Sequence, residues 1–211
     1  TMLIALTGTI AGFFIGLLTG VVRTAPYSKK AVLRVLHKIA NGFIAVYVEI
    51  FRGTPMMVQA MVIYWGYAFA SGGSTLPLVP SGIFIVSINT GAYMAEIVRG
   101  GIISIDRGQF EGAMSIGMNH FQTMLRVVIP QVMRNILPSV SNEFVINIKD
   151  TSVLNVIGVT ELYYFAGIIK RQNFQTFQTY LVICVLYFIL TFAVTRLLRW
   201  LEKKLDGKSN Y

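Results

Sequence analysis

The sequence predicts an all-α, polytopic membrane protein that crosses the bilayer about five times. The chain of 211 residues is 55% hydrophobic and 13% charged, which is about half the charge that a soluble domain of this size carries. Three long stretches, 2–22, 53–95 and 172–195, contain no charged side chain. A helix that spans a bilayer needs about 20 mostly apolar residues, so each stretch is long enough for at least one crossing.

We assign one transmembrane domain over residues 1–211, with spans at 2–22, 41–70, 81–99, 127–148 and 177–199. The second span is too long for a straight crossing and is interrupted at residues 53–55 by Gly-Thr-Pro, because proline removes a backbone donor and glycine weakens a helix. Glu49 and Arg52 stand just before this break at i and i+3, where they are expected to pair. Segment 149–171 contains two apolar stretches too short to span, so we expect a pair of short helices dipping into the protein.

The basic residues predict the orientation of the chain. The net charge is +9. The predicted spans place two basic residues, Lys170 and Arg171, on one side of the membrane. Thirteen lie on the other: Arg23, Lys29, Lys30, Arg34, Lys38, Arg99, Arg107, Arg126, Arg196, Arg199, Lys203, Lys204 and Lys208. The positive-inside rule then places the N-terminus outside and the C-terminus in the cytoplasm. The basic residues show no face with interleaved aromatics that would indicate nucleic-acid binding. Because the chain begins at Thr1 rather than Met, we expect further residues before it.

The first span has a glycine at every fourth position: Gly8, Gly12, Gly16 and Gly20. Such a ridge allows another helix to approach closely. We expect it to pack within the subunit, with a contact between two subunits as the alternative.

Residues 106–130 predict two helices joined by a turn. Asp106 with Gln109, and Asn119 with Gln122, have the spacing of capping boxes, and Gly117 is a natural end for the first helix. The second helix continues into the fourth span. Three apolar residues share one face of the first helix: Phe110, Ala113 and Met114. A helix this short is marginal in water, so we expect it to dock on a protein surface; an ordinary amphipathic loop is the alternative.

Motifs spread over residues 49–155 support a family resemblance. They are Phe51-Arg52-Gly53-Thr54-Pro55 with Gln59, Tyr93 to Ile102 followed by Gly108-Gln109, Glu111-Gly112-Ala113 with Gly117 and Ile129-Pro130, Asn142-Glu143-Phe144, and Lys149-Asp150-Thr151-Ser152. Together they resemble the permease subunits of ABC importers for polar amino acids of the histidine/glutamine type, including their EAA loop. Gly112 replaces the usual alanine of that loop, which should slightly loosen the first helix.

The resemblance implies a type I ABC importer permease fold, with a cytoplasmic coupling loop at 100–126. It implies a bacterial inner-membrane protein in contact with lipid, a second permease subunit (the same chain or a sister), two ATPase subunits, and an extracytoplasmic amino-acid-binding protein. The loop residues expected to contact the ATPase are Phe110, Glu111, Ala113, Met114 and Gly117. The chain has no G-x-x-x-x-G-K-[ST] phosphate loop, so it is expected not to be an enzyme and to hold no cofactor, with ATP and magnesium on the partner.

Polar residues on the fourth span predict a substrate path. Ser139, Glu143, Asn147 and Thr151 recur at steps of four and therefore line one stripe. An amino acid needs an acceptor for its ammonium group and donors for its carboxylate. Glu143 or Asp150 is the expected acceptor. The expected donors are Asn142, Asn147, Thr151 and Ser152, and Met57 and Gln59 are expected to line the cavity.

Structural roles are the alternatives for the charged residues of the spans. Glu143 could pair with Arg134 or Lys149, and Glu96 is expected to form an ion pair with Arg99. The carboxylates favour a basic substrate such as arginine, lysine or histidine, with glutamine or glutamate as the alternative.

Two other function classes compete with an importer: a passive channel and a membrane-embedded enzyme. The enzyme would need a nucleophile–base pair or a metal site. The chain has two histidines, His37 and His120, and one cysteine, Cys184. They form no motif, so no metal site is predicted.

Overall fold

The computed structural model describes residues 1–206, and regular structure within that range is helical throughout. Lys208, one of the basic residues used to predict orientation, lies outside the described residues. The helices are α1 (Met2–Thr24), α2 (Ala31–Gly53), α3 (Met56–Ala70), α4 (Leu78–Ile103), α5 (Arg107–Ser115), α6 (His120–Thr123), α7 (Ile129–Asp150), α8 (Leu162–Asn173) and α9 (Thr176–Asp206). A π-helical turn, Met124–Val128, joins α6 to α7, and a 3-10 helix, Thr151–Ile157, follows α7.

The helices confirm a polytopic architecture. Four of them, α1, α2, α4 and the Thr176–Lys204 portion of α9, are long and apolar enough to cross a membrane. A fifth crossing is formed if the helical run His120–Ile157 and α8 are one span bent by 56°. The second span differs from its prediction, because α2 begins at Ala31 rather than residue 41 and α3 is a separate short helix. Basic side chains near the end of a span can extend to the headgroup region, so the charges at 34 and 38 do not end the helix.

The glycine ridge of α1 packs against α4, which confirms the expected contact within the subunit. All four ridge glycines are buried. A Cβ atom added to Gly12 would lie 2.7 Å from the Cβ of Thr90, and one added to Gly20 would lie 2.8 Å from the Cβ of Val98. These distances are too short for any side chain, so the ridge sets the separation of the two helices.

The break between α2 and α3 is held by side-chain hydrogen bonds. The carboxyl end of a helix leaves carbonyl groups without partners, which is costly at membrane depth. The Gln59 side-chain nitrogen lies 2.9 Å from the carbonyl oxygens of Phe51 and Thr54 and 2.8 Å from the Thr54 hydroxyl. Asn89 of α4 donates to the Gln59 side-chain oxygen at 2.9 Å. These hydrogen bonds therefore stabilise the break and connect it to α4.

Arg52 does not pair with Glu49, contrary to the expectation from their spacing. Over residues 1–206, no salt bridge involves either side chain. The Arg52 guanidinium instead lies over the ring of Tyr93, 5.6 Å from its centroid. Because α2 ends at Gly53, Arg52 is on the last turn and can reach towards α4.

The segment after α7 forms the two short helices that were expected around Glu161. The Glu161 side chain is 2% exposed and accepts a hydrogen bond from the Tyr164 backbone at 2.6 Å, as the cap of α8. Its second oxygen accepts from the Tyr187 hydroxyl of α9 at 2.9 Å. This carboxylate therefore fastens α8 to the last span.

Candidate functional site

The segment between α4 and α7 folds as a helix–turn–helix, as predicted. Asp106 caps α5 by accepting from the Gly108 backbone at 2.6 Å. Asn119 and Gln122 form a complete capping box at the start of α6, with distances of 2.9 Å and 3.0 Å. Gly117 has a φ of +86°, a left-handed conformation that favours glycine. These contacts fix the angle between the two helices.

One predicted cap contact is wrong. Gln109 does not reciprocate the Asp106 cap; its side-chain oxygen accepts from Gln131 of α7 at 3.2 Å. The π-helical turn Met124–Val128 directly precedes α7, whose second residue is Pro130. Proline clashes with the carbonyl one turn before it, and the wider π turn gives it room. The helix–turn–helix is thus joined firmly to α7.

The apolar face of α5 is divided between two environments. Ala113 is buried, and Phe110 packs against the core formed by α4 and α7. Phe110 and Ala113 therefore pack within the subunit. Met114 is exposed, as are Ile116, at 76%, and Phe121. We name Met114, Ile116 and Phe121 the exposed coupling surface; Glu111 is exposed beside it on α5.

Asn147, in the middle of the α7 stripe, is buried between three helices. It is 3% exposed, and its side-chain nitrogen lies 2.7 Å from the hydroxyl of Thr9 in α1 and 2.9 Å from that of Thr90 in α4. Unsatisfied polar groups are expensive inside a membrane protein, and here they satisfy one another. The predicted role of Asn147 as a substrate donor finds no support in this arrangement.

Two other predicted substrate residues are also occupied within the fold. Thr151 is fully buried and donates to the Ile148 carbonyl at 3.0 Å. Gln59 is buried in the break between α2 and α3. Neither side chain faces open space, so both are structural in this conformation.

Glu143 differs from Asn147 and Thr151 because its side chain has no hydrogen-bond or ion-pair partner within residues 1–206. Its side chain is half-buried, and the alternative pairs with Arg134 or Lys149 are absent there. Asp150, the last residue of α7, is a second carboxylate on the same helix. Arg52 lies on the last turn of α2, so the carboxylates and the guanidinium belong to two different helices.

Arg52 is the residue that sequence reasoning missed as a site candidate. It lines a cleft of about 480 Å³ together with Glu49, Tyr93 and Glu96. Its location beside a helix break inside an apolar span was a usable signal, since ionisable residues in spans are functional candidates. Because its spacing from Glu49 suggests an ion pair, Arg52 is not among the residues predicted to bind substrate.

The remaining predicted substrate residues lie elsewhere. Asn142 lines a groove of about 240 Å³ against Arg199 of α9. Ser152 lines another, of about 360 Å³, with Tyr163 of α8. Met57 is exposed on α3. These three side chains lie at three different places in the structure.

The expected ion pair between Glu96 and Arg99 is confirmed. The Arg99 guanidinium lies 2.7 Å and 3.0 Å from one Glu96 oxygen, and Arg23 of α1 binds the other. Glu96 thus links the ends of α1 and α4.

Comparison with known proteins identifies the family of the chain. Residues 8–207 match the family described as "Binding-protein-dependent transport system inner membrane component". The chain is 35% identical to the glutamine transport system permease protein GlnP of Escherichia coli K12 over 205 residues, which is 97% of this chain and 89% of that protein. It is 36% identical to the L-cystine transport system permease protein TcyB of Bacillus subtilis over 200 residues, or 94% and 82% of the two chains.

Solved structures agree with the fold. An amino acid ABC transporter crystallised with histidines superposes with a TM-score of 0.81 at 32% identity, over 96% of this chain and 89% of that one. The MetNI methionine ABC transporter in an inward-facing conformation superposes with a TM-score of 0.69 over 94% and 91%. At 16% identity, this second likeness concerns the fold alone.

Proposed function

This chain belongs to the binding-protein-dependent transport system inner membrane components, and we propose that it forms half of the path of an importer for glutamine-type amino acids. It is an amino-acid ABC importer permease, not the ATPase, as its relatives indicate. The relatives named for glutamine and L-cystine support the glutamine-type alternative better than the basic substrate that the carboxylates alone favoured.

The charged side chains of the spans also support a substrate without net charge. A path lined only by carboxylates would favour a cation, but the Arg52 guanidinium lies over the ring of Tyr93 and lines a cleft beside the break between α2 and α3. A zwitterion presents an ammonium group and a carboxylate together. In our proposal Glu143 accepts from the ammonium group and Arg52 donates to the carboxylate, because such charge-assisted hydrogen bonds are the strong ones.

The first experiment is uptake by the reconstituted transporter with its ATPase and binding protein. Glu143→Gln retains the shape of the side chain and removes its charge. A hydrogen bond to a charged group contributes about 1.5–3 kcal/mol, so we expect glutamine transport to weaken by about tenfold or more. Arg134→Gln is the matched control, because Arg134 is exposed on the same helix and forms no salt bridge among the described residues. Unchanged uptake and selectivity in Glu143→Gln would refute the role of this carboxylate.

Competition between unlabelled amino acids tests the substrate class. Labelled glutamine should be displaced by excess glutamine and much less by arginine or lysine. The reverse order would support the basic alternative. Arg52→Gln should raise the relative competition by arginine, because it removes the positive charge that disfavours a cation.

The partners follow from the family and from the exposed surfaces. The family name implies a binding protein, and we propose that two ATPase subunits dock at the exposed coupling surface. Met114, Ile116 and Phe121 present apolar area on a helix–turn–helix that is itself firmly held. We further propose that two permease subunits line the path, as two copies of this chain or as this chain with a sister.

The orientation of the chain is also a proposal, based on the positive-inside rule. In a Cys184→Ser background, Ser74→Cys lies in the connection between α3 and α4, and Ser115→Cys lies at the end of α5. An impermeant maleimide should label the first in intact cells and the second only after the membrane is opened. Equal labelling of both in intact cells would reject this topology.

A further inference from the structure

Four basic residues at the start of α2 form an unneutralised cluster. Lys29, Lys30, Arg34 and Lys38 are all exposed, and no salt bridge involves them within residues 1–206. The chain has no Asp or Glu anywhere from residue 23 to residue 48. Arg34 donates to the carbonyls of Ser28 and Lys29 at 3.3 Å, which folds the connection back onto the helix. We name these four residues the basic α2 cluster.

The position of the cluster opposes the helix dipole. Lys30 is the N-cap of α2, and the first turn has neither an acidic residue nor a side-chain cap. The amino end of a helix has a partial positive charge, so anions stabilise it and cations destabilise it. The local arrangement is therefore unfavourable by itself and would be stabilised by an anionic ligand.

The helix α2 also has an exposed apolar face, which lies on a different side of the helix from Arg34 and Lys38. Its first exposed members are Val32, at 72%, and Val35. The face then includes Leu36, Ile39, Phe43, Val46 and Ile50. Tyr27, just before the cluster, is also exposed, and tyrosine is enriched where membranes meet water. The helix α2 therefore combines an unneutralised basic cluster at its amino end with a long exposed apolar surface.

We propose that the basic α2 cluster binds the headgroup of an anionic phospholipid whose acyl chains lie along the exposed face of α2. A phospholipid combines the required anion and apolar chains in one molecule. An acidic protein surface would neutralise the lysines but leave the face of a candidate span uncovered. Clusters of four or more basic residues next to a span are typical of anionic lipid recognition. The proposal does not depend on which amino acid is transported.

The test is photo-crosslinking on the assembled transporter in phosphatidylcholine nanodiscs. A trace of photoactivatable phosphatidylglycerol is compared with the equivalent phosphatidylcholine probe, and the labelled peptides are mapped. We expect phosphatidylglycerol to label residues 27–39 preferentially, and high salt to reduce this labelling through screening. Equal labelling by the two probes, or no effect of salt, would overturn the proposal.

Variants distinguish the cluster from general surface charge. Lys29→Gln, Lys30→Gln and Lys38→Gln are combined, and Arg34 is left intact because it holds the connection. Each lysine near a charged membrane contributes about fivefold in affinity, so the triple variant should lose on the order of a hundredfold. The control combines Arg199→Gln, Lys203→Gln and Lys204→Gln in α9 and should retain the labelling of α2. An equal loss in that control would show a non-specific field effect and contradict the proposal.

A charge-preserving variant separates a loss of charge from a loss of folding. Lys29→Arg with Lys30→Arg should retain the preference for phosphatidylglycerol. If the preference is lost there although the transporter still assembles, the lysines act by a route other than charge and the proposal fails. If phosphatidylglycerol labels wild-type α2 in the permease alone but not in the assembled transporter, the cluster is a protein contact rather than a lipid site and the proposal fails.

Discussion

Asn147 shows how a polar residue in a span can belong to the fold instead of the substrate path. Asn147→Ala would leave the hydroxyls of Thr9 and Thr90 without their shared partner and would open a cavity between three helices. Hydrogen bonds between membrane helices contribute about 0.6 kcal/mol on average, and cavity formation adds to that loss. We expect a total destabilisation of about 1–3 kcal/mol, measured as a lower melting temperature in detergent.

The control for this prediction is Asn135→Ala, because Asn135 is exposed on the same helix and should melt like the wild type. At a permissive temperature Asn147→Ala should retain the apparent KM for glutamine. A raised KM with unchanged stability would return Asn147 to the substrate path.

Single residues also mark the limit of the sequence prediction. A spacing of four places Glu143, Asn147 and Thr151 on one stripe, and the structure confirms that Glu143 and Asn147 share α7, with Thr151 as its C-cap. Whether a member of the stripe faces a cavity or a neighbouring helix depends on α1 and α4, which contribute Thr9 and Thr90. Helical periodicity has no information on those contacts. The same reason explains why spacing alone suggests a pair of Arg52 with Glu49 in its own helix, whereas the Arg52 guanidinium lies over the ring of Tyr93 in α4.

At the scale of helices, the sequence predicted those features that are determined by residues close together in the chain. The caps at Asp106 and Asn119, the turn at Gly117 and the break after Gly53 are all set by residues within a few positions of one another. The start of α2 was not predicted, because basic residues at 34 and 38 resemble a loop in a hydropathy pattern. Their aliphatic stems allow them to remain on a helix.

The glycine ridge provides a prediction at this scale. Gly12→Leu would force a side chain into Thr90 and should separate α1 from α4. Overpacking in a close-packed core costs about 1–3 kcal/mol or more, so we expect poor yield of folded protein and a lower melting temperature. Gly42→Leu is the control, since an added Cβ there meets nothing within 4 Å. Equal tolerance of the two substitutions would mean that the ridge does not set the contact.

For the whole molecule, the family motifs identified the class of transporter, while the structure changed which residues are candidates for binding substrate. The fold and the amino-acid importer class were predictable because residues 49–155 contain several motifs of one family. The substrate was not predictable, because the charged residues of the spans include both carboxylates and a guanidinium. The net charge of a substrate path depends on which of these side chains line the same cavity, at positions 49, 52, 96, 143 and 150. In the structure, Glu96 is neutralised by two arginines, whereas Glu143 has no direct partner in the described part of the chain.

The connection between ATP hydrolysis and transport depends on whether the helix–turn–helix moves as one body with α4 and α7. Phe110 and Ala113 pack inwards and Gln109 contacts Gln131, so a displacement of the exposed coupling surface should reach the helix that contains Glu143. Gly117→Val places a β-branched residue at a φ of +86°, which costs about 1–2 kcal/mol or more and should re-aim α5. We expect insertion and assembly to persist, while uptake per ATP hydrolysed falls by about tenfold in proteoliposomes.

Gly112→Val is the matched control for this prediction, because Gly112 lies on α5 in an ordinary helical conformation and an added Cβ meets nothing within 4 Å. Valine has a higher helix propensity than glycine, so it should not destabilise α5 there, in contrast to the loss expected at a left-handed position. ATP hydrolysis and glutamine uptake are measured side by side in the same vesicles. If Gly117→Val retains wild-type uptake per ATP, or if Gly112→Val loses as much, the angle set at Gly117 does not transmit the motion. In that case the contact of Gln109 with Gln131 becomes the element to disrupt next, since it joins α5 to α7 without involving the turn.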